Sequence, residues 1–301
     1  MKEIIIHEVG LRDGLQMESE SVPAITKTQW AEDMIAAGID IIQLGSFVNP
    51  KVVFQMADTD DLFEYFNMPE NKPKNTILSG LVLNEKGMER GMACAVDMFC
   101  MGVSASETHS MKNTRMTSDE AQKRIINMAK EAMAAGKKIQ ASVQSAFGCG
   151  FDGDIEEDRV FAIIKEYLNA GIRTISLADT AGYANPAKVE RMFSVIHELD
   201  KDIETACHFH NTYGMGMANV YAAYKTGVKY FESAFGGLGG CPFTKTAAGN
   251  VATEDMVNMF SEMGVRTDID LKKLKGIVNY AAGFFIRDLQ GYSYKINPIK
   301  H

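Results

Sequence analysis

Four times along this chain a helical pattern of apolar residues stops at a glycine, and a strand-like run follows within a few residues. The junctions are Ala37-Gly38-Ile39, Ala135-Gly136-Lys137, Ala170-Gly171-Ile172 and Thr226-Gly227-Val228. A glycine placed just past the last helical turn takes the left-handed conformation that closes the helix, and a strand after it makes the αβ turn of a parallel sheet. Apolar runs predict strands over Ile4–Val9, Ile39–Leu44, Thr76–Leu81, Val96–Met101, Ile139–Val143, Thr174–Leu177, Glu204–His208 and Tyr230–Ser233. Between them, apolar residues at helical spacing predict helices such as Thr26–Ala37, Ser118–Ala135, Glu156–Ala170 and Pro186–Leu199. Eight such units in 301 residues match the size of a closed (β/α)8 TIM barrel. An open doubly wound sheet competes with it, but no G-x-G-x-x-G follows the first strand. The expected organisation is one catalytic domain over residues 1–301. Leu271–Leu289 has no strand after it and reads as one or two added C-terminal helices, an extension spanning about 270–290.

Composition narrows the function. An apolar share of 46% supplies a sizeable core. A formal charge of −8 argues against a nucleic-acid-binding surface, while leaving room for one local positive pocket. No apolar run is long enough for a membrane span, and the N-terminus enters a strand without a cleavable signal pattern. The five cysteines (94, 100, 149, 207 and 241) are odd in number and form no C-x-x-C pair. That pattern points to a reducing compartment, the cytoplasm, and away from a disulfide framework or structural zinc. Cys94, Cys100 and Cys207 read as buried packing, as do the scattered methionines.

In a barrel, chemistry is carried at the C-terminal ends of the strands, and the unusual residues of this chain gather there. Gly10-Leu11-Arg12-Asp13-Gly14 follows the first strand, Gln43 falls near the end of the second, and Asp179 ends the sixth. The seventh runs into His208-Phe209-His210-Asn211, whose two histidines share a face because strand side chains alternate. Closure makes strands seven, eight and one neighbours, so Asp13, His208, His210 and Asn250 can converge on one ion. Two imidazoles, a carboxylate and an amide oxygen suit Mn²⁺ or Mg²⁺ and accept Zn²⁺. Arg12 reads either as a salt-bridge partner or as a clamp for an oxyanion or carbonyl. Asp179 reads equally as a helix cap or as a proton carrier. Gly236-Gly237-Leu238-Gly239-Gly240 then precedes Cys241-Pro242. Such a run is not expected inside a helix or strand. It reads as a mobile loop over the barrel mouth that carries the Cys241 thiol toward the ion.

These residues are similar to the motifs of the hydroxymethylglutaryl-CoA lyase family, among the metal-dependent barrels that make or break bonds beside an enolate. The resemblance begins with Glu8-Val9-Gly10-Leu11-Arg12-Asp13-Gly14-Leu15-Gln16, where Leu11 replaces a usual proline. It continues through Ser46-Phe47-Val48-Asn49-Pro50-Lys51, Ser104-Ala105-Ser106-Glu107 and Ile175-Ser176-Leu177-Ala178-Asp179-Thr180. His208-Phe209-His210-Asn211-Thr212-Tyr213-Gly214, Gly237-Leu238-Gly239-Gly240-Cys241-Pro242-Phe243 and Gly249-Asn250-Val251-Ala252-Thr253-Glu254-Asp255 complete it, in order, from about residue 3 to 290. The resemblance implies metal ligands at Asp13, His208, His210 and Asn250, enolate stabilisation by Arg12, and proton transfer by Cys241. It adds Asp179 and Glu254 as active-site polar groups, an acyl-CoA substrate, and a homodimer as the common assembly. One departure stands out: Gln43 occupies a position where the family usually has glutamate, and an amide neither acts as a base nor carries charge.

The reading that follows is retro-Claisen cleavage of hydroxymethylglutaryl-CoA, or a close 3-hydroxyacyl-CoA, to acetyl-CoA and acetoacetate. The alternatives are a related aldolase, a condensing enzyme joining acetyl-CoA to a keto acid, and a non-catalytic barrel that senses a metal or an acyl-CoA.

Overall fold

The computed structural model describes residues 3–240 and 249–296. Eight parallel strands close in chain order: β1 (Ile5–Glu8), β2 (Ile41–Ser46), β3 (Ile77–Leu81), β4 (Met98–Ser104), β5 (Lys138–Gln144), β6 (Thr174–Asp179), β7 (Glu204–Phe209) and β8 (Tyr230–Ser233). β1 pairs with β2 on one side and β8 on the other, with Glu8 opposite Ser233. The expected (β/α)8 barrel is therefore the observed fold.

Local chemistry explains most helix ends. Gly38, Gly136, Gly171 and Gly227 all take positive φ, as their positions required. Asn84 and Ser106 accept hydrogen bonds from the first turns of helices Glu85–Ala93 and Glu107–Thr114. Thr117 and Glu120 form a reciprocal capping box on helix Ser118–Ala134. Helix Pro186–Leu199 is capped by Asn185, with proline at its first position.

Two strands, β2 and β4, start two residues later than their apolar runs suggest, for one reason. The Ile39 N–H is taken by Met34 O and the Val96 N–H by Gly91 O, bonds that finish the preceding helix. Both strands also run further than expected, β2 to Ser46 and β4 to Ser104. Gln43 is thus inside β2, just before a register shift against β3 at Gln43/Gly45, and not at the strand end. After β1, Gly10–Gly14 winds into a single π-helical turn that carries Arg12 and Asp13.

The main core lies between barrel and helices. A smaller cluster of Ile41, Met98 and Cys100, with Ile5, Ile77, Leu81 and Tyr230 packed against it, fills the barrel from its N-terminal end up to the cavity, as barrel interiors are filled in layers. Above it His7 Nε2 lies 2.9 Å from Ser79 Oγ, beginning a polar layer under the catalytic face. The C-terminal segment forms one helix, Leu271–Phe284, and a short 3₁₀ turn at Ser293–Lys295. Trp30, fully buried, meets Phe235, Tyr280 and Phe284 edge-on at 5.3–6.2 Å, fixing that helix across Ala24–Ala37. Among the described residues no helix is long and apolar enough to cross a membrane.

The N-terminal face is held by one buried cation. Arg266, 1% exposed, bonds Asp40 at 2.6 Å, Asp268 at 2.8 Å and the Ile4 carbonyl at 3.3 Å. Removing one partner of a buried pair leaves the other uncompensated. Arg266→Met is expected to cost about 3–5 kcal/mol in urea unfolding; an unchanged midpoint would show the cluster adds nothing.

Candidate metal centre and active-site cavity

The catalytic face holds a cavity of about 250 Å³ whose described lining includes Arg12, Asp13, Gln43, His208, His210 and Glu232. Barrel closure does the assembling. Asp13 comes from the turn after β1 and His208 from β7, while His210, one residue past β7, bridges to Asn250. Candidate ligand atoms of Asp13, His208 and His210 lie within 4.8 Å of one another, all buried. The two imidazole Nε2 atoms are 3.1 Å apart, and each is 3.8 Å from Asp13 Oδ2. Two nitrogens each ~2.1 Å from one ion at a right angle would stand about 3 Å apart.

Asn250 supplies an independent test of fit. Its Nδ2 donates to Asp13 Oδ2 at 2.8 Å and to the Leu238 carbonyl at 3.0 Å. Its Oδ1 is buried and has no hydrogen-bond partner among the described residues, which buried polar atoms rarely tolerate. With the amide turned over, that oxygen would stand beside Asp13 in place of Nδ2 and an ion there would satisfy it, so the donor set fits a divalent cation. Gly249 must be glycine for the chain to pass here, because an added Cβ would fall 1.9 Å from Gly237 O.

Arg12 is a salt-bridge partner that also faces the cavity, where the clamp reading needs it. Nη1 pairs with Asp13 Oδ1 at 2.5 Å, Nε donates to Gln43 Oε1, and the side chain lines the cavity. Among the described lining residues it is the one Lys or Arg. Burial alone would raise the Asp13 carboxyl, but Arg12, the two histidines and the Asn250 amide hold it well below the usual range. Burial opposes charge on His208 too, yet its bond to Glu232 and the fields of Glu232 and Asp13 raise its pKa. His210 is pushed down to about 4, by burial and then by His208.

Asp179 is not the cap of the next helix, one of its two expected roles. The cap of the next helix is Asn185, while Asp179 Oδ2 accepts from the Ala184 N–H at 3.1 Å. Ala178 and Thr180 line the cavity and Asp179 does not, because alternation turns it to the other face. Burial pushes its carboxyl up to about 7. Glu254 is likewise absent from the described lining; its Oε2 accepts from the Gly236 N–H at 2.9 Å, beneath the glycine-rich segment.

The segment expected as a mobile loop is anchored where it leaves the barrel. Phe235–Gly237 form a buried 3₁₀ turn, allowed because Gly236 takes φ +65°. Gln290 and Gly291 donate to Gly236 O at 2.9 and 3.1 Å. Glu8 Oε1 accepts from Phe235 N at 3.1 Å. Cys241 itself lies outside the described residues; Gly240, beside it in sequence, lines the cavity.

Sequence reasoning missed Glu232 and Gln140. Glu232 Oε2 is 2.8 Å from His208 Nδ1, and Gln140 Nε2 donates to its other oxygen. The available signal was an acid inside the apolar run Tyr230-Phe231-Glu232-Ser233. His109, buried on the far wall, was also missed.

A closed parallel barrel with a histidine pair, a carboxylate and an orphaned amide oxygen at its catalytic face defines a metal-dependent barrel protein. The chain matches the HMGL-like family over residues 3–280 and belongs to it. It is 34% identical to the (R)-citramalyl-CoA lyase of Chloroflexus aurantiacus, covering 99% of this chain and 96% of that one. It is 33% identical to a hydroxymethylglutaryl-CoA lyase of Bacillus subtilis, covering 91% and 90%. A solved HMG-CoA lyase from Acenitobacter baumannii, in complex with coenzyme A and 3-methylmalate, superposes with a TM-score of 0.89 at 36% identity, covering 99% and 98%.

The buried acids under the glycine-rich segment make stability depend on pH. Burial raises Glu8 to about 7 and Glu254 to about 8. A raised carboxyl keeps in the fold a proton that the unfolded chain releases near pH 4.5. Its contribution is complete below that value and is lost as pH rises through 7–8. Between these limits each group contributes a slope of about −1.4 kcal/mol per pH unit. Glu254→Gln should therefore lose less stability than the parent chain between pH 5 and 8.5; parallel melting curves across that range would contradict it.

Proposed function

We propose that this chain is a divalent-metal-dependent carbon–carbon lyase that cleaves hydroxymethylglutaryl-CoA, or a close 3-hydroxyacyl-CoA, to acetyl-CoA and acetoacetate. The observation that carries it is the convergence of Asp13, His208 and His210 beside Arg12, with the Asn250 amide against Asp13 and its oxygen buried without a partner among the described residues. Both relatives named above are acyl-CoA lyases, which supports the reaction class. A Mg²⁺ or Mn²⁺ ion, with Zn²⁺ also accommodated, would be held by those four residues and supply a Lewis acid for the substrate's hydroxyl and carbonyl oxygens.

The chain's own residues divide the remaining work. Arg12, held by Gln43 at Nε and by Asp13 at Nη1, presents a positive edge to the cavity. There it takes the enolate oxygen as the C2–C3 bond electrons move onto C2. Cys241 then delivers a proton to C2. Since Asp179 does not face the cavity, any part it has in removing the hydroxyl proton is relayed through water. The described cysteines 94, 100, 149 and 207 are free thiols, in keeping with a cytoplasmic setting. Exposed Tyr280, Ile286 and Tyr292 at the C-terminal end support a homodimer.

A second reading concerns substrate alone. The Chloroflexus relative is named for citramalyl-CoA, in which the carboxylate sits on the carbinol carbon itself, so the same bond cleavage releases pyruvate. Gln43 in place of an acid leaves Arg12 without a second carboxylate at its Nε edge, which favours an anionic group close to the reacting carbon.

Both substrates are to be offered to the Mn²⁺- or Mg²⁺-loaded enzyme with a thiol reductant. Chelator-sensitive acetoacetate release supports the first reading, and pyruvate release from citramalyl-CoA alone supports the second. No cleavage of either, with metal bound, removes both. Cys241→Ser should leave metal binding intact and lower turnover by about 10²-fold or more; undiminished turnover takes the thiol out of the reaction.

A further inference from the structure

Behind the histidine pair runs a chain of contacts that the cavity mouth does not explain. Glu232 is on β8 and 9% exposed. One of its oxygens lies 2.8 Å from His208 Nδ1. The other accepts from Gln140 Nε2, which reaches across the barrel from β5. A carboxylate at this depth is unfavourable unless both oxygens are hydrogen-bonded, and here each has a partner.

We propose that Glu232 is the positioning residue of the metal centre, presetting His208 as a ligand before any ion arrives. The inference rests on the metal reading given above. A carboxylate only accepts hydrogen bonds, so His208 Nδ1 must carry the hydrogen, and in the neutral ring Nε2 is left with its lone pair. That nitrogen lies 3.8 Å from Asp13 Oδ2 and 3.1 Å from His210 Nε2. Two lone pairs cannot share the 3.1 Å contact between the rings, so with both rings neutral and no ion His210 Nε2 is the donor in it. His210 Nδ1 is buried with no hydrogen-bond partner among the described residues, so nothing there fixes its tautomer. The two histidines are therefore unequal: His208 is set by Glu232, and His210 changes tautomer when the ion enters. Gln140 keeps the Glu232 carboxylate in the plane this requires, and its own Oε1 has no hydrogen-bond partner among the described residues.

That free oxygen provides the control. In Glu232→Gln the new amide can still accept from His208 Nδ1, while Gln140 rotates to accept from the amide nitrogen. Glu232→Ala removes the acceptor altogether. The experiment uses ¹⁵N-histidine-labelled metal-free protein at pH 8.5, with His208 assigned by its loss in His208→Gln, followed by Mn²⁺ titration of each variant. The expected result is an Nδ1–H pattern for His208 in the parent chain and in Glu232→Gln. In Glu232→Ala the pattern becomes mixed or Nε2–H, and Mn²⁺ affinity falls about 10–100-fold, with a smaller loss in Glu232→Gln. An Nε2–H pattern in the parent chain overturns the proposal, and so does a folded Glu232→Ala that binds Mn²⁺ within twofold of the parent. Should Glu232→Ala fail to fold, the parent spectrum and Glu232→Gln decide the question. A parent chain that shows the Nδ1–H pattern yet binds none of Mn²⁺, Mg²⁺ or Zn²⁺ overturns the metal reading itself, leaving the Glu232–His208 bond standing.

Discussion

The pairing of β1 with β8 is the constraint on which the site depends. Asp13 and Asn250 are 237 residues apart in sequence, yet 2.8 Å separates their side chains. Only closure of the sheet brings the turn after the first strand beside the segments that follow the seventh and eighth. Glu8, at the end of β1, reinforces that seam. It accepts from the Gly10 and Phe235 N–H groups and takes a third hydrogen bond from Thr253, so one buried side chain joins both ends of the barrel. Opening the seam would cost these bonds and the core packing of Trp30 on Phe235 together.

From the seam upward the interior changes character in layers. Aliphatic and sulfur-containing side chains close the N-terminal end, and His7, Ser79, Gln140 and Glu232 follow. The candidate ligands and Arg12 sit above them. The apolar plug keeps water from the underside, which strengthens each charge interaction above it. It also explains why the barrel tolerates so many buried ionisable groups: they are stacked on one another instead of being isolated in hydrocarbon. Gln43 fits this arrangement as a neutral acceptor that orients Arg12 without cancelling its charge.

The glycine-rich segment combines two demands that usually conflict. Its root must be fixed, since it lies against Glu254, Gln290 and Gly291. It must also carry backbone past Asp13 and Asn250, where an added Cβ at Gly239 would fall 2.6 Å from Asn250 Nδ2. Glycine meets both, by positive φ at 236, 237 and 239 and by the absence of a side chain at the closest approach.

The sequence by itself determined the architecture, because period, helix-closing glycines and capping residues are local signals that each unit repeats. It also marked Asp13, His208, His210 and Asn250, since polar groups at strand ends stand out against apolar runs. Strand limits were less legible: Ile39 and Val96 look like strand, but their N–H groups belong to the preceding helices. Which face Asp179 takes, and that Glu232 and Gln140 meet behind His208, depended on contacts between strands distant in sequence. An acid inside an apolar run reads the same whether it faces a helix or a ligand. Only register and closure, which are properties of the whole sheet, decide between them.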